Sequence, residues 1–211
     1  MKKLLLALPL LAAAPLIAQG GPMSPPGAKD ATRVTAGTYN TDPNHTLVGW
    51  RLNHLGFNDY FGIFGDITGT LTLDPKNPNG SKVDITIPVS KVTTASAGLT
   101  AHLLRPGKDG GKPDFFGPAP ADARFVSTSV VANGAEAKIT GNLTLNGVTK
   151  PVTLDAEFTG AGKPPFPGGK DTVGFEAEAK IKRSDFGIST GIPFVGDEVE
   201  LEITVAFEKA A

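Results

Sequence analysis

The chain has 211 residues, of which 20 are lysine or arginine and 21 are aspartate or glutamate, so its formal net charge is −1. This balance argues against a basic nucleic-acid-binding protein and against an acidic disordered tail. The 26 glycines and 18 prolines break long helices and disfavour a helical bundle. The absence of cysteine excludes disulfides, thiolate metal sites, cysteine nucleophiles and a lipid-modified N-terminal cysteine.

The N-terminal segment has the three parts of a secretory signal peptide. Lys2 and Lys3 give a positive start, residues 4–17 form an apolar run, and small residues follow it. The run is short for a membrane span and two prolines interrupt it, so an export signal is favoured over an anchor. We expect residues 1–20 to be a cleaved signal peptide, residues 21–36 to form a flexible leader, and the mature chain to contain no membrane-spanning segment.

From Tyr39 onward, apolar and polar residues alternate with a period of two, which is typical of half-buried strands. In the last run, Val199 and Leu201 share one face, whereas Glu200 and Glu202 share the other. Two Asn-Gly dipeptides between alternating runs favour type I′ hairpin turns. The pattern predicts eight strands, at residues 46–54, 61–73, 82–89, 124–132, 135–146, 148–160, 171–183 and 199–208.

The short turns between most of these strands predict an all-β, antiparallel meander. Eight such strands can close into a barrel that has no free edges and holds one small ligand. A sandwich of two sheets is the alternative. We expect residues 37–211 to form this single barrel domain.

One long interruption, residues 90–123, separates the third and fourth predicted strands. A short helix is predicted around residues 99–104, and the remainder resembles a loop. Loops of this length in a compact domain usually have a function or are disordered. The adjacent Phe115 and Phe116 would be unfavourable in solvent, so we expect the segment to dock as a lid. It would either close one end of the barrel or line the mouth of a ligand site.

The sequence carries no strong catalytic or metal-binding motif. Residues 94–98 approach a nucleophile elbow but begin with threonine instead of glycine. His45 and His54 are separated by nine positions, which places them on opposite faces of an unbroken strand and prevents shared metal ligation. We therefore predict no metal, no cofactor and no enzymatic activity.

Eight ordered motifs resemble those of the YceI-like proteins, and together they extend over residues 39–208. They lie at residues 39–46 (YNTDPNHT), 48–56 (VGWRLNHLG), 62–64, 87–94, 114–116, 125–128, 141–154 and 183–188. The resemblance implies an eight-stranded, lipocalin-like barrel with a helix-containing lid, exported to the bacterial periplasm. It also implies binding of a long isoprenoid or similar amphiphilic lipid, in a carrier, storage or stress-related role. In the lid the sequence departs from the family pattern, because Gly117 follows the two phenylalanines and residues 107–112 look inserted.

Small residues at inward positions of the predicted strands indicate an interior that is not filled, since a solid core would use larger side chains there. These small residues are Ala135, Ala137, Gly141, Ala156, Ala177 and Ala179. An apolar lumen would gain about 0.8 kcal/mol per buried methylene and would accept a polyisoprenoid, quinone or fatty-chain lipid. The residues expected to contact the ligand are Val48, Trp50, Leu52, His54, Phe64, Ile67, Phe115, Phe116, Phe125, Leu143, Leu145, Phe158, Phe175 and Phe186.

Several cationic or near-cationic side chains are candidates for contacting a polar head group, and they are Arg51, His54, Arg105, Lys112 and Arg183. Two other functions remain open at this point. An enzyme acting on a small amphiphile at the barrel mouth would use His54 and the lid residue Asp114. A barrel filled by its own side chains would instead be an interaction module. We expect no nucleic-acid partner, and a homodimer is possible.

Overall fold

The computed structural model describes residues 24–211, so the predicted signal peptide lies outside the described residues. Residues 24–211 contain ten strands and one α-helix, and no helix in this part of the chain is long and apolar enough to cross a membrane. The elements are β1 (Gly37–Thr41), β2 (Leu47–His54), β3 (Asn58–Phe64), β4 (Thr68–Leu73), β5 (Lys82–Ile87), α1 (Ala97–Leu103), β6 (Ala123–Asn133), β7 (Glu136–Leu145), β8 (Val148–Gly162), β9 (Thr172–Lys182) and β10 (Glu198–Lys209).

The strands close into an antiparallel barrel with eight positions around the ring. β1 pairs with β10 on one side and β4 on the other, and β4 to β10 then follow in order. β2 pairs with β10 further along the same edge, and β3 pairs with β2. Each of the pairs β1/β2 and β3/β4 therefore fills one position of the ring. The predicted eight-stranded barrel is confirmed, and the alternative of a two-sheet sandwich is wrong.

The predicted strand boundaries were wrong in the first quarter of the barrel. The prediction omitted β1, whose second inward position is Thr41 instead of an apolar residue. The Thr41 hydroxyl is buried and donates a hydrogen bond to the Ile67 carbonyl oxygen at 3.1 Å. The predicted strand 61–73 is in fact β3 and β4, interrupted at Asp66, where a φ of 54° breaks the extended backbone.

The two ends of the barrel are closed in different ways. At the lower end, a core cluster contains Tyr39, Leu71 and Phe207. The second half of the predicted leader lies over this end: Ala28 exchanges two backbone hydrogen bonds with Ala161, and Val34 joins the cluster. At the upper end, the segment between β5 and β6 folds over the opening, and α1 is part of it. The barrel axis therefore runs between an end covered by residues 28–34 and an end covered by the lid.

Candidate ligand-binding tunnel

Three cavities follow one another along the barrel axis. The upper chamber under the lid has a volume of about 120 Å³, the central chamber about 130 Å³, and the lower chamber about 260 Å³. The upper and central chambers share the walls Val48, Ile87, Leu143 and Leu201, and the central and lower chambers share Leu71, Val83, Ile139, Ala156 and Phe175. We call the three chambers together the apolar tunnel.

Alanines on three neighbouring strands line the central and lower chambers of the apolar tunnel. Ala137 on β7 pairs with Ala156 on β8, which pairs with Ala177 on β9. Gly141 does not add space, because a Cβ there would lie 2.4 Å from the ring of Phe125. The inference that small inward residues leave a cavity therefore holds for the alanine row, whereas the aromatic ring occupies the room at Gly141. The cavities along the barrel axis argue against a barrel filled by its own side chains.

The lid lines the upper chamber as well as covering it. Leu103 at the end of α1 is buried, and both Phe115 and Phe116 line the chamber. The Phe116 ring meets Phe64 of β3 edge-to-face, with 6.0 Å between the ring centroids, and the Phe116 amide donates to the Leu103 carbonyl at 3.0 Å. The two phenylalanines that looked unfavourable in solvent are thus the side chains that seat the lid.

A polar cluster on the lid fixes the position of Asp114 relative to α1. One carboxylate oxygen, Oδ2, lies 2.7 Å from Arg105 Nη2 and 2.9 Å from His102 Nε2. These hydrogen bonds hold the pKa of Asp114 below its usual value, and the one from Arg105 has the largest effect. We call these three residues the lid clasp. Arg105, a candidate for head-group contact, is therefore already paired on the lid, and Asp114 is engaged there instead of with His54.

Arg51 and Arg183 occupy opposite environments. Arg51 alternates with the inward Trp50 and Leu52, so it lies on the outer face, where it pairs with Glu200. Hydrogen bonds from Lys180 and Arg51 lower the pKa of Glu200 to about 2.

Arg183 is 4% exposed, and burial lowers the pKa of its guanidinium. The guanidinium donates to the carbonyl oxygens of Gly196 at 2.7 Å, Val195 at 2.8 Å, Thr190 at 3.0 Å and Ile188 at 3.1 Å. Head-group contact by these arginines stays a prediction.

The structure places most of the residues predicted to contact a ligand around the apolar tunnel, and ligand contact itself stays a prediction for them. The upper chamber is lined by Val48, Trp50, Leu52, Phe64, Phe115, Phe116, Leu143 and Leu145; the central chamber by Phe125, Phe175 and Ile67; the lower chamber by Phe158 and Phe175. Phe186 packs behind Phe125 and Leu143, and the exposed His54 pairs with Asn58 in the β2–β3 hairpin. Neither lines a chamber.

Sequence reasoning missed several lining residues, although a usable signal was present. Ile87, Ile181, Val199 and Leu201 line the upper or central chamber, and the period-two alternation already placed them on apolar faces. A second missed feature is Trp50 Nε1, which is buried and has no hydrogen-bond partner among the described residues. Its indole packs against Gly62 on the paired strand, where a Cβ would approach it to 2.1 Å.

A closed antiparallel barrel with an apolar interior under a docked lid belongs to the class of barrels that enclose a small ligand. The YceI-like domain model matches residues 39–207. Protein YceI of Salmonella arizonae and that of Salmonella enteritidis are each 46% identical over 175 residues, which cover 82% of this chain and 87% of those proteins. The chain therefore belongs to the YceI-like family.

Solved structures support this assignment. The crystal structure of Campylobacter jejuni YceI has a TM-score of 0.62 and 33% sequence identity, over 75% of this chain and 90% of that one. A polyisoprenoid-binding domain from Saccharophagus degradans has a TM-score of 0.55 at 11% identity, over 83% of this chain and 100% of that one. At that identity the likeness shows a shared fold.

Proposed function

We propose that the protein binds a long isoprenoid, quinone or fatty-chain lipid inside the apolar tunnel, as a periplasmic carrier or storage protein. The observation that carries this proposal is the row of three chambers along the barrel axis, each sharing walls with the next. An apolar cavity of about 150 Å³ stays dry and admits one benzene molecule. Three such chambers in line fit a chain better than a compact ligand.

Transfer of the chain out of water supplies the driving force. Each buried methylene contributes about 0.8 kcal/mol, so ten chain carbons in the tunnel give roughly 8 kcal/mol before the loss of ligand freedom, which lowers the net affinity. The walls of the upper and central chambers are apolar except for Arg183 and Thr46, and the largely apolar lower chamber includes Lys29, Ser81 and Glu136. Binding of this kind selects for chain length and apolarity more than for the identity of the lipid.

Two further observations support an isoprenoid or similar chain over a hydrolysable substrate. The Saccharophagus degradans domain with the same fold is a polyisoprenoid-binding domain. In residues 24–211, the acid and base that the enzymatic alternative requires are not brought together: Asp114 is held in the lid clasp and His54 lies exposed on a hairpin. The proposed role is therefore binding, and export through residues 1–20 would place it in the periplasm.

Purification without detergent, followed by organic extraction and mass spectrometry, tests the proposal. We expect a long-chain lipid at near-stoichiometric amounts, or uptake of an added polyprenyl or quinone compound by protein recovered empty. Emission from Trp50, which lines the upper chamber and is the one tryptophan of the chain, should shift on uptake. Recovery of no lipid together with no uptake would refute the proposed function.

A further inference from the structure

Most of the large apolar side chains exposed in residues 24–211 lie on two neighbouring segments at the upper end of the barrel. They are Phe57 (87% exposed), Phe194 (70%), Phe61 (60%), Leu55, Ile63 and Ile192, and we call these six residues the apolar rim. The remaining two, Val131 and Phe166, lie in β6 and in the loop after β8. Concentrations of exposed apolar side chains mark interaction surfaces.

The fold holds the apolar rim in place. β2 pairs with β10 as far as Arg51, so the turn of the β2–β3 hairpin extends beyond that pairing. The segment 188–196 supports it: the Leu55 amide donates to the Phe194 carbonyl at 2.7 Å, and the Gly196 amide donates to the Asn53 carbonyl at 2.8 Å. The buried Arg183 guanidinium ties four carbonyls of the same segment together. The exposed side chains therefore project from a braced support.

Leu55 has a backbone conformation that is unfavourable for leucine. Leu55 and Gly56 have φ values of 59° and 72°, close to the 52° and 76° of Asn146 and Gly147 in the β7–β8 turn. Asparagine is favoured at the first position of such a turn, whereas leucine rarely adopts a positive φ. Leu55 is also 46% exposed, so packing does not explain it. Strained positions of this kind are frequent at functional sites.

The apolar rim lies beside the upper chamber of the apolar tunnel. Trp50 and Leu52 line the upper chamber and belong to the hairpin that carries Leu55 and Phe57. The segments 52–58 and 188–196, which carry Leu55, Phe57, Ile192 and Phe194, contain no lysine, arginine, aspartate or glutamate. Insertion of these two segments among lipid headgroups would thus bury no charged side chain of these types, so its free-energy cost is low. A second copy of the chain is the other conceivable occupant, but only a bilayer connects with the lipid path through the tunnel.

We propose that the apolar rim is a membrane-docking surface that inserts into the interface of a lipid bilayer and brings the tunnel opening against it. A lipid chain then passes between bilayer and tunnel without crossing water. The purpose of this docking rests on the proposed lipid-binding function, whereas the docking itself is measured separately. Each phenylalanine buried in the interface strengthens partitioning about tenfold or more.

Vesicle flotation with phosphatidylethanolamine and phosphatidylglycerol measures the docking. The wild type should float with the vesicles, and Phe57→Ser with Phe194→Ser should weaken its partitioning about a hundredfold. The matched control, Val131→Ser with Phe166→Ser, removes exposed apolar side chains elsewhere and should float like the wild type. Leu55→Asn should unfold at a higher temperature while binding vesicles more weakly, which separates the apolar requirement from a folding defect.

Insertion depth and ligand uptake are read in independent experiments. In a Trp50→Phe background, Phe57→Trp should shift its emission to the blue on vesicle binding and be quenched by brominated lipid chains. Uptake of a polyprenyl compound from ethanol, without vesicles, should be unchanged in the rim double variant.

Failed uptake by the wild type with rim-dependent flotation would refute the proposed function but not the docking. Equal flotation of wild type and double variant would overturn the docking. A wild-type dimer that the double variant abolishes, with no flotation, would assign the rim to a second copy and likewise overturn it.

Discussion

Filling the central chamber gives the sharpest test of the apolar tunnel. Ala177 of β9 lines the central chamber and pairs with Ala156 of β8, which borders both the central and the lower chamber. Ala177→Phe adds a phenyl ring at this point. The central chamber of about 130 Å³ is close to the roughly 150 Å³ that admits one benzene, so the ring should fill the chamber and close the path to the lower one.

The expected loss of affinity follows from the chain carbons that the ring displaces. Excluding about five carbons, at about 0.8 kcal/mol each, removes about 4 kcal/mol, or roughly a thousandfold in Kd. Folding should not suffer, because filling a true cavity stabilises proteins by about 0.5–2 kcal/mol. Overpacking a core that was already full would instead destabilise it by about 1–3 kcal/mol.

Displacement of a fluorescent polyprenyl probe measures the affinity, and urea unfolding measures the stability. Val131→Phe is the matched control, because it adds a similar ring at a position that is 62% exposed. It should leave probe affinity unchanged. The reasoning is refuted if Ala177→Phe binds the probe within tenfold of the wild type. It is equally refuted if the variant loses stability by the amount expected for overpacking.

Three other predictions concern the lid, the braced segment and the outer face. Asp114→Asn removes the charge from the lid clasp and should speed ligand release, seen as faster recovery of Trp50 emission. An unchanged release rate would contradict a role of the lid clasp in holding the lid closed. Arg183→Ala leaves carbonyl oxygens without donors and should lower the free energy of unfolding by about 3 kcal/mol or more in urea, whereas a loss below about 1 kcal/mol would contradict this. The pKa of Glu200 is lowered from 4.5 to about 2, so its ion pairs contribute stability above pH 4.5 that is lost as the pH falls toward 2. Glu200→Gln should therefore flatten that part of the acid denaturation curve, and a curve parallel to the wild type would contradict the assignment.

The barrel could be predicted from the alternation of apolar and polar residues, because β7 to β10 are long strands with one apolar and one polar face. It failed where the inward residue is polar, as at Thr41 in β1. It also failed at Asp66, where a single positive φ divides a run that looks continuous. Neither a buried threonine nor a local backbone kink changes the hydrophobic period of the surrounding residues.

The apolar residues that line the candidate site could be predicted from the sequence, whereas the contacts of its polar groups could not. Trp50, Leu52 and Phe116 could be placed at the mouth from strand register and from the cost of exposing aromatic side chains. The partners of Arg183 could not, because they are carbonyls of a loop without periodicity. The apolar rim was hidden for a related reason: Phe57 and Phe194 become neighbours of the tunnel opening only once the 188–196 segment pairs with the hairpin.

A crystal structure of the protein loaded with a brominated polyprenyl chain tests the central claim most directly. We predict anomalous peaks inside the barrel, running from the upper chamber beside Trp50, past Ala177 and into the lower chamber. A chain bound to the outer surface, with all three chambers empty, would contradict the account.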